Sequence, residues 1–110
     1  VSALASVNPW IILVVAGLAE IGWAIGLKMS NGFTRVVPSI ATVVIAGLSF
    51  WLLALAMRSL PVGTAYAVWV GIGAVGVALA GIVLFAEPAT LWRLAGIAVI
   101  LAGIVMLKLA

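Results

Sequence analysis

Four apolar runs, over residues 9–27, 36–57, 62–85 and 91–107, leave this chain few ways to fold. Each approaches the ~20 residues that a helix rising ~1.5 Å per residue needs to cross ~30 Å of hydrocarbon. A bilayer offers no water to unpaired backbone groups, so runs of this length are read as helices. Composition agrees: 68% of the 110 residues are hydrophobic and 6% charged, against the roughly half-apolar, quarter-charged usage of soluble domains. The expected fold is an all-α integral membrane domain of four transmembrane helices over residues 9–110, preceded by a short tail over 1–8. The tail, "VSALASVN", holds an A-x-A pattern. No basic or apolar segment precedes that pattern, so a signal peptide is not expected.

The breaks between runs are chemically consistent. Asn8 suits a helix cap with Pro9 in the first turn, "SNGF" at 30–33 carries an Asn-Gly turn signal, "RSLP" ends in Pro61, and "EPAT" holds Pro88. All three connections are short, so consecutive helices are expected to run antiparallel. Trp10 and Trp92 fall at run ends, where an amphipathic ring favours the membrane interface.

Absent residue types narrow the chemistry. Without cysteine there are no disulfides, thiolate metal sites or thiol catalysis, and without histidine a zinc site or a serine-histidine pair is not expected. No metal, cofactor or enzymatic activity is therefore expected. The five basic residues are scattered singly rather than gathered in a stripe, so no nucleic acid partner is expected either. Lys28, Arg35 and Arg93 fall on one side of the membrane and Arg58 and Lys108 on the other. Basic residues in short loops set orientation, and three against two is almost no bias. A chain of this kind is expected to insert both ways and to pair as an antiparallel homodimer.

Several polar or small residues share helix faces. In the second run Ser39, Thr42, Ala46 and Ser49 recur by steps of three or four, and in the third Tyr66, Trp69, Gly73 and Gly76 do the same. Hydroxyls in a membrane need partners and glycines admit close backbone approach, so both faces are expected against protein. For Tyr66 and Trp69 an interface-belt position competes. Phe50 and Trp51 are read as packing or lipid-facing groups. Gly96 and Gly103, seven apart in the fourth run, form an expected dimer-packing seam. Residues 71–76, "GIGAVG", match a dinucleotide-binding fingerprint letter for letter. That fingerprint requires a preceding strand, a following helix and an acid about 20 residues on, whereas this one lies inside a hydrophobic run and its glycines are read as close packing or a local flexible point.

Glu20 is the one acidic residue inside any run, and the one basic residue within a run, Arg93, stands in the first turn of the fourth, at the membrane edge rather than beside it. Insertion of such a charge at mid-membrane costs roughly 3 kcal/mol, and intramembrane carboxylates usually line a cavity or relay. A carboxyl in hydrocarbon can be neutralised by a proton or by a cation. If the two cannot be present together, each drives release of the other, which is the minimum chemistry of an antiporter. Four helices are too few to enclose such a site with two accessible states, whereas the eight of a homodimer suffice, in the manner of the inverted repeats of larger transporters. Glu87, beside Pro88 and near Arg93, is read as a cap or loop charge.

The single glutamate in the first run, "LKMSNGFTR" after it and "LPVGTAYAVWVGIGAVG" opening the third together resemble the small multidrug resistance family, over nearly the whole length from Trp10 to Leu107. "AEIGWAIGLK" resembles the guanidinium exporter branch, in which Trp follows the glutamate by three residues. The resemblance implies an antiparallel, dual-topology homodimer in a bacterial inner membrane that exchanges protons for guanidinium ions. It implies Glu20 as the shared proton and substrate site, Trp23 and Ser49 orienting that carboxylate, Tyr66 and Trp69 lining the pocket, and Gly17 allowing close approach. Guanidinium suits such a site, being planar with N–H donors around its edge that carboxylates take in bidentate fashion and aromatic faces can stack on. The alternatives are a broad exporter of quaternary ammonium cations and a dual-topology ion channel.

Overall fold

The computed structural model describes residues 7–110, so residues 1–6 of the expected tail lie outside the described residues. The described residues form four helices, α1 (Pro9–Met29), α2 (Val36–Ala56), α3 (Val62–Leu84) and α4 (Leu91–Leu109). All four are long and apolar enough to cross a membrane, and the protein is a multi-pass, all-α membrane protein.

Local chemistry sets the helix ends. Asn8 Oδ1 accepts from the Trp10 N–H at 2.9 Å, and Pro9 opens α1 where its missing N–H costs nothing. The helix continues past Leu27 through Lys28, whose long stem can stay in the apolar layer while its charge reaches the interface and complements the helix dipole. Ser30 closes it. Its Oγ donates to the Leu27 carbonyl at 2.7 Å and accepts from the Phe33 N–H at 3.1 Å. Asn31, Gly32 and Phe33 then carry φ values of 50°, 70° and 65°. Asparagine and glycine adopt that left-handed backbone readily, and Phe33 does so under strain. At the start of α4, Thr90 Oγ1 accepts from the Arg93 N–H at 3.2 Å.

The core sits where α1 packs against both α2 and α3, while α4 packs mainly against α3. Leu13, Ala16, Ala56, Ala65 and Val68 are buried there. Of the polar stripe on α2, Thr42 and Ser49 are buried and Ser39 is half-buried. Thr42 Oγ1 donates to the Pro38 carbonyl at 2.7 Å, and Ser39 Oγ to the Arg35 carbonyl, so both hydroxyls are satisfied within or beside their own helix. Lys108 Nζ stands 4.6 Å from the centroid of the Trp10 ring, joining the end of α4 to the start of α1.

The result is a slab rather than a closed bundle. Its extents are 38 × 36 × 18 Å, and the short one is less than two helix diameters of ~10–12 Å. Ile97 is the one buried residue of α4.

Candidate functional site

Glu20 lies midway along α1, on the face turned to α3. Its carboxyl occupies space left by Gly73: a Cβ built there would stand 2.5 Å from Glu20 Cδ and 2.7 Å from each carboxylate oxygen. Gly73 is thus the residue that makes room for the carboxyl. Two further exchanges flank it along the α1–α3 seam. A Cβ on Gly17 would lie 2.7 Å from Ile72 Cγ2, and one on Gly76 would collide with the end of the Ile21 side chain. The helices approach by setting a side chain of one over a glycine of the other, once from α3 and twice from α1.

The three glycines of "GIGAVG" therefore serve packing. Gly71 faces α4, where a Cβ would meet Ile104 Cδ1 at 3.0 Å, while Gly73 and Gly76 face α1. The segment lies within α3, with no strand before it.

A second set of contacts fixes the aromatic side chains near the carboxyl. Ser49 is fully buried; its Oγ donates to the Ala16 carbonyl at 2.7 Å and accepts from Trp69 Nε1–H at 3.0 Å. One hydroxyl thereby joins α1, α2 and α3, a turn away from Glu20. Within one chain, Ser49 is engaged with Ala16 and Trp69 rather than with the carboxylate. Trp69 is 6% exposed, and Phe50 bridges it to Trp23. The Phe50 ring is edge-on to Trp69 at 5.7 Å and to Trp23 at 6.4 Å. Tyr66 extends the row, tilted at 5.7 Å from Trp69, and is 55% exposed. The row Trp23–Phe50–Trp69–Tyr66 is continuous, with its tyrosine end open.

Two polar atoms in this region have no partner. Glu20 Oε1 and Trp23 Nε1 are both buried and unpaired among the described residues. They belong to residues three apart on α1, hence neighbours on its surface. One is an acceptor and the other a donor. A buried polar group left unpaired costs about 1–3 kcal/mol, so the arrangement favours an occupant that donates to the carboxylate and an acceptor that takes the indole N–H.

The residues singled out from sequence divide into three places. Glu20, Trp23, Trp69 and Tyr66 gather around the junction of α1, α2 and α3, with Ser49 behind them. Gly17 lies in the α1–α3 seam beneath Ile72. Gly96 and Gly103 lie apart on α4, where a built Cβ meets nothing within 4 Å at either position. Gly73 and Phe50 join the site from structure. The step of four from Trp69 to Gly73 placed that glycine on the right face, but spacing within α3 carries no information about which α1 side chain lies opposite.

Comparison with known proteins adds the following. Residues 8–100 match the family described as Small Multidrug Resistance protein. A guanidinium exporter of Yersinia pseudotuberculosis is 63% identical over 101 residues, covering 92% of this chain and 97% of the relative. The guanidinium exporter of Escherichia coli K12 is 60% identical over 92% of this chain and 96% of its own length. That of Citrobacter freundii is 56% identical with the same coverage.

Proposed function

The chain belongs to the Small Multidrug Resistance family, and from that premise we propose that it is a proton-coupled antiporter exporting guanidinium and small substituted guanidinium cations across a bacterial plasma membrane. The observation that carries the reading is the Glu20 carboxyl, seated on Gly73 within a membrane span with Oε1 unpaired beside the unpaired indole of Trp23. Guanidinium supplies what Oε1 lacks, an N–H donor with a positive charge, and its planar shape suits a site walled by rings. A bulky quaternary ammonium has no such donor to offer. The relatives named guanidinium exporters support the same substrate.

In the mechanism, two chains pair in opposite orientation so that two Glu20 carboxylates face one cavity. Each carboxylate holds either a proton or a share of the cation. Protons arriving from one side displace guanidinium, and guanidinium arriving from the other displaces protons. The Trp23 N–H donates to a carboxylate of the pair when that group is ionised, and Ser49 keeps Trp69 in place from behind. Exchange of the two chains' conformations turns an inward-open site into an outward-open one.

The test is proton-coupled guanidinium flux in liposomes reconstituted with the purified protein. Because protonation removes the acceptor charge, apparent affinity for guanidinium should fall as pH falls, and Glu20→Gln should abolish coupled flux at every pH. Robust transport of a large aromatic quaternary ammonium with none of guanidinium would overturn the substrate. Passive flux that survives Glu20→Gln would overturn the mechanism in favour of a channel.

A further inference from the structure

A second recess lies at the membrane edge, apart from Glu20. It is a groove of about 360 Å³ between the end of α1, the end of α3 and the start of α4. Its walls are apolar, with Ile25 on one side and Ala74, Val77 and Ala78 on the other, and its mouth is charged by Lys28, Glu87 and Arg93.

The carboxylate at the mouth is committed. Ala86 takes a φ of 53° and turns the chain back, so that the Glu87 N–H donates to the Gly81 carbonyl at 3.1 Å. The Glu87 side chain fills the space over Gly81, where a Cβ would stand 2.8 Å from its Cδ. Glu87 Oε1 accepts from Arg93 Nη1 at 2.9 Å. Lys28 stands instead over the Phe85 ring, 5.1 Å from its centroid, and has no carboxylate partner among the described residues. The sequence has two acidic residues: Glu87 is taken by Arg93, and Glu20 lies two turns back along α1. Two cations against one carboxylate leave the mouth with one positive charge in excess.

Its depth matters as much as its sign. α1 has 21 residues, a rise of about 30 Å, so Lys28 in its last turn lies where hydrocarbon gives way to headgroups. The Arg93 and Glu87 side chains are 37% and 41% exposed, so the mouth is open from outside. An occupant must be apolar along its length and singly negative at its head.

We propose that this groove binds an anionic glycerophospholipid. One acyl chain lies along Ile25, Ala74, Val77 and Ala78, and the phosphate sits on the Lys28 ammonium and the guanidinium N–H groups of Arg93 that Glu87 leaves free. A zwitterionic headgroup would bring a further cation to a mouth already positive, so the site selects lipids of net negative charge.

Native mass spectrometry of the purified protein, equilibrated with equal dioleoyl phosphatidylglycerol and dioleoyl phosphatidylcholine, tests this. Phosphatidylglycerol should be retained preferentially, Lys28→Gln should reduce that retention about fivefold, and Lys28→Arg should keep it. Ala78→Phe, which fills the groove and leaves its charges in place, should lower retention as well. Equal retention of the two lipids, or retention indifferent to Lys28→Gln, overturns the proposal. Displacement by inorganic phosphate with no effect of Ala78→Phe would show an anion site only and overturn it too. Disulfide cross-linking of two chains through Ala78→Cys would show that a second copy fills the groove, with the same consequence. The readout does not depend on which ion Glu20 carries.

Discussion

Gly73 contributes to the Glu20 site by what it lacks. The carboxyl occupies the volume that a β-carbon would take, so Gly73→Ala must push either the carboxyl or the helix. Forcing one methyl into a packed position costs about 1–3 kcal/mol, equivalent to roughly five- to 150-fold in a binding constant. Guanidinium affinity in Gly73→Ala should fall by that factor while the protein still folds, checked by isothermal titration in detergent beside circular dichroism. Ser49 shows the opposite logic. It earns its place through two hydrogen bonds, to the Ala16 carbonyl and from Trp69. Ser49→Ala should cost about 1–3 kcal/mol of stability by leaving buried groups unpaired, measured as the shift in an unfolding midpoint in micelles. Glu20, Ser49, Tyr66 and Trp69 were visible in the sequence as polar groups or polar-handled rings in greasy helices, and the family resemblance singled out Trp23. The sequence could not show what each one touches: Ser49 turns to Ala16 and Trp69, and Phe50, a plain hydrocarbon ring, stands between two tryptophans.

Among the helices, α1 is the axis on which the others are assembled. Its glycines and those of α3 exchange side chains along one seam, Ile72 over Gly17, Glu20 over Gly73 and Ile21 over Gly76. The seam predicts a specific coupling. A Cβ at Gly76 meets Ile21 Cδ1 and Cγ1, but stands 3.8 Å from Ile21 Cβ, an ordinary contact. Gly76→Ala alone should therefore destabilise the helix pair, and Ile21→Ala in the same chain should relieve it. A double-mutant cycle on unfolding should give a coupling of about 0.5–3 kcal/mol, and strict additivity would show that these helices do not meet as described. Small-residue periodicity revealed that α3 has a packing face. That one face splits, with Gly71 serving α4 and the next two glycines serving α1, follows only from where the helices stand.

At the level of the whole molecule, an 18 Å slab has no interior in which to carry an ion, and α4 has little of its surface covered by its own chain. Gly96 and Gly103 open onto nothing within 4 Å, which suits the proposed pairing of α4 with a second copy. Gly103→Leu should accordingly shift dimer toward monomer in detergent, read by analytical ultracentrifugation, without loss of helix content. Four hydrophobic spans with short turns were legible from sequence because a bilayer admits few other ways to satisfy the backbone over twenty apolar residues. The nearly balanced basic residues and the buried charge of Glu20 were legible for the same reason, since each is costly or informative wherever the helices go. Tertiary structure alone decided that Gly73 seats the carboxyl, that Ser49 joins three helices, and that Lys28 and Arg93 share a groove with Glu87. Those are relations between helices. Lipid is as apolar as the side chains it surrounds, so hydrophobicity places a segment in the membrane but does not choose its neighbour; shape and hydrogen bonding do.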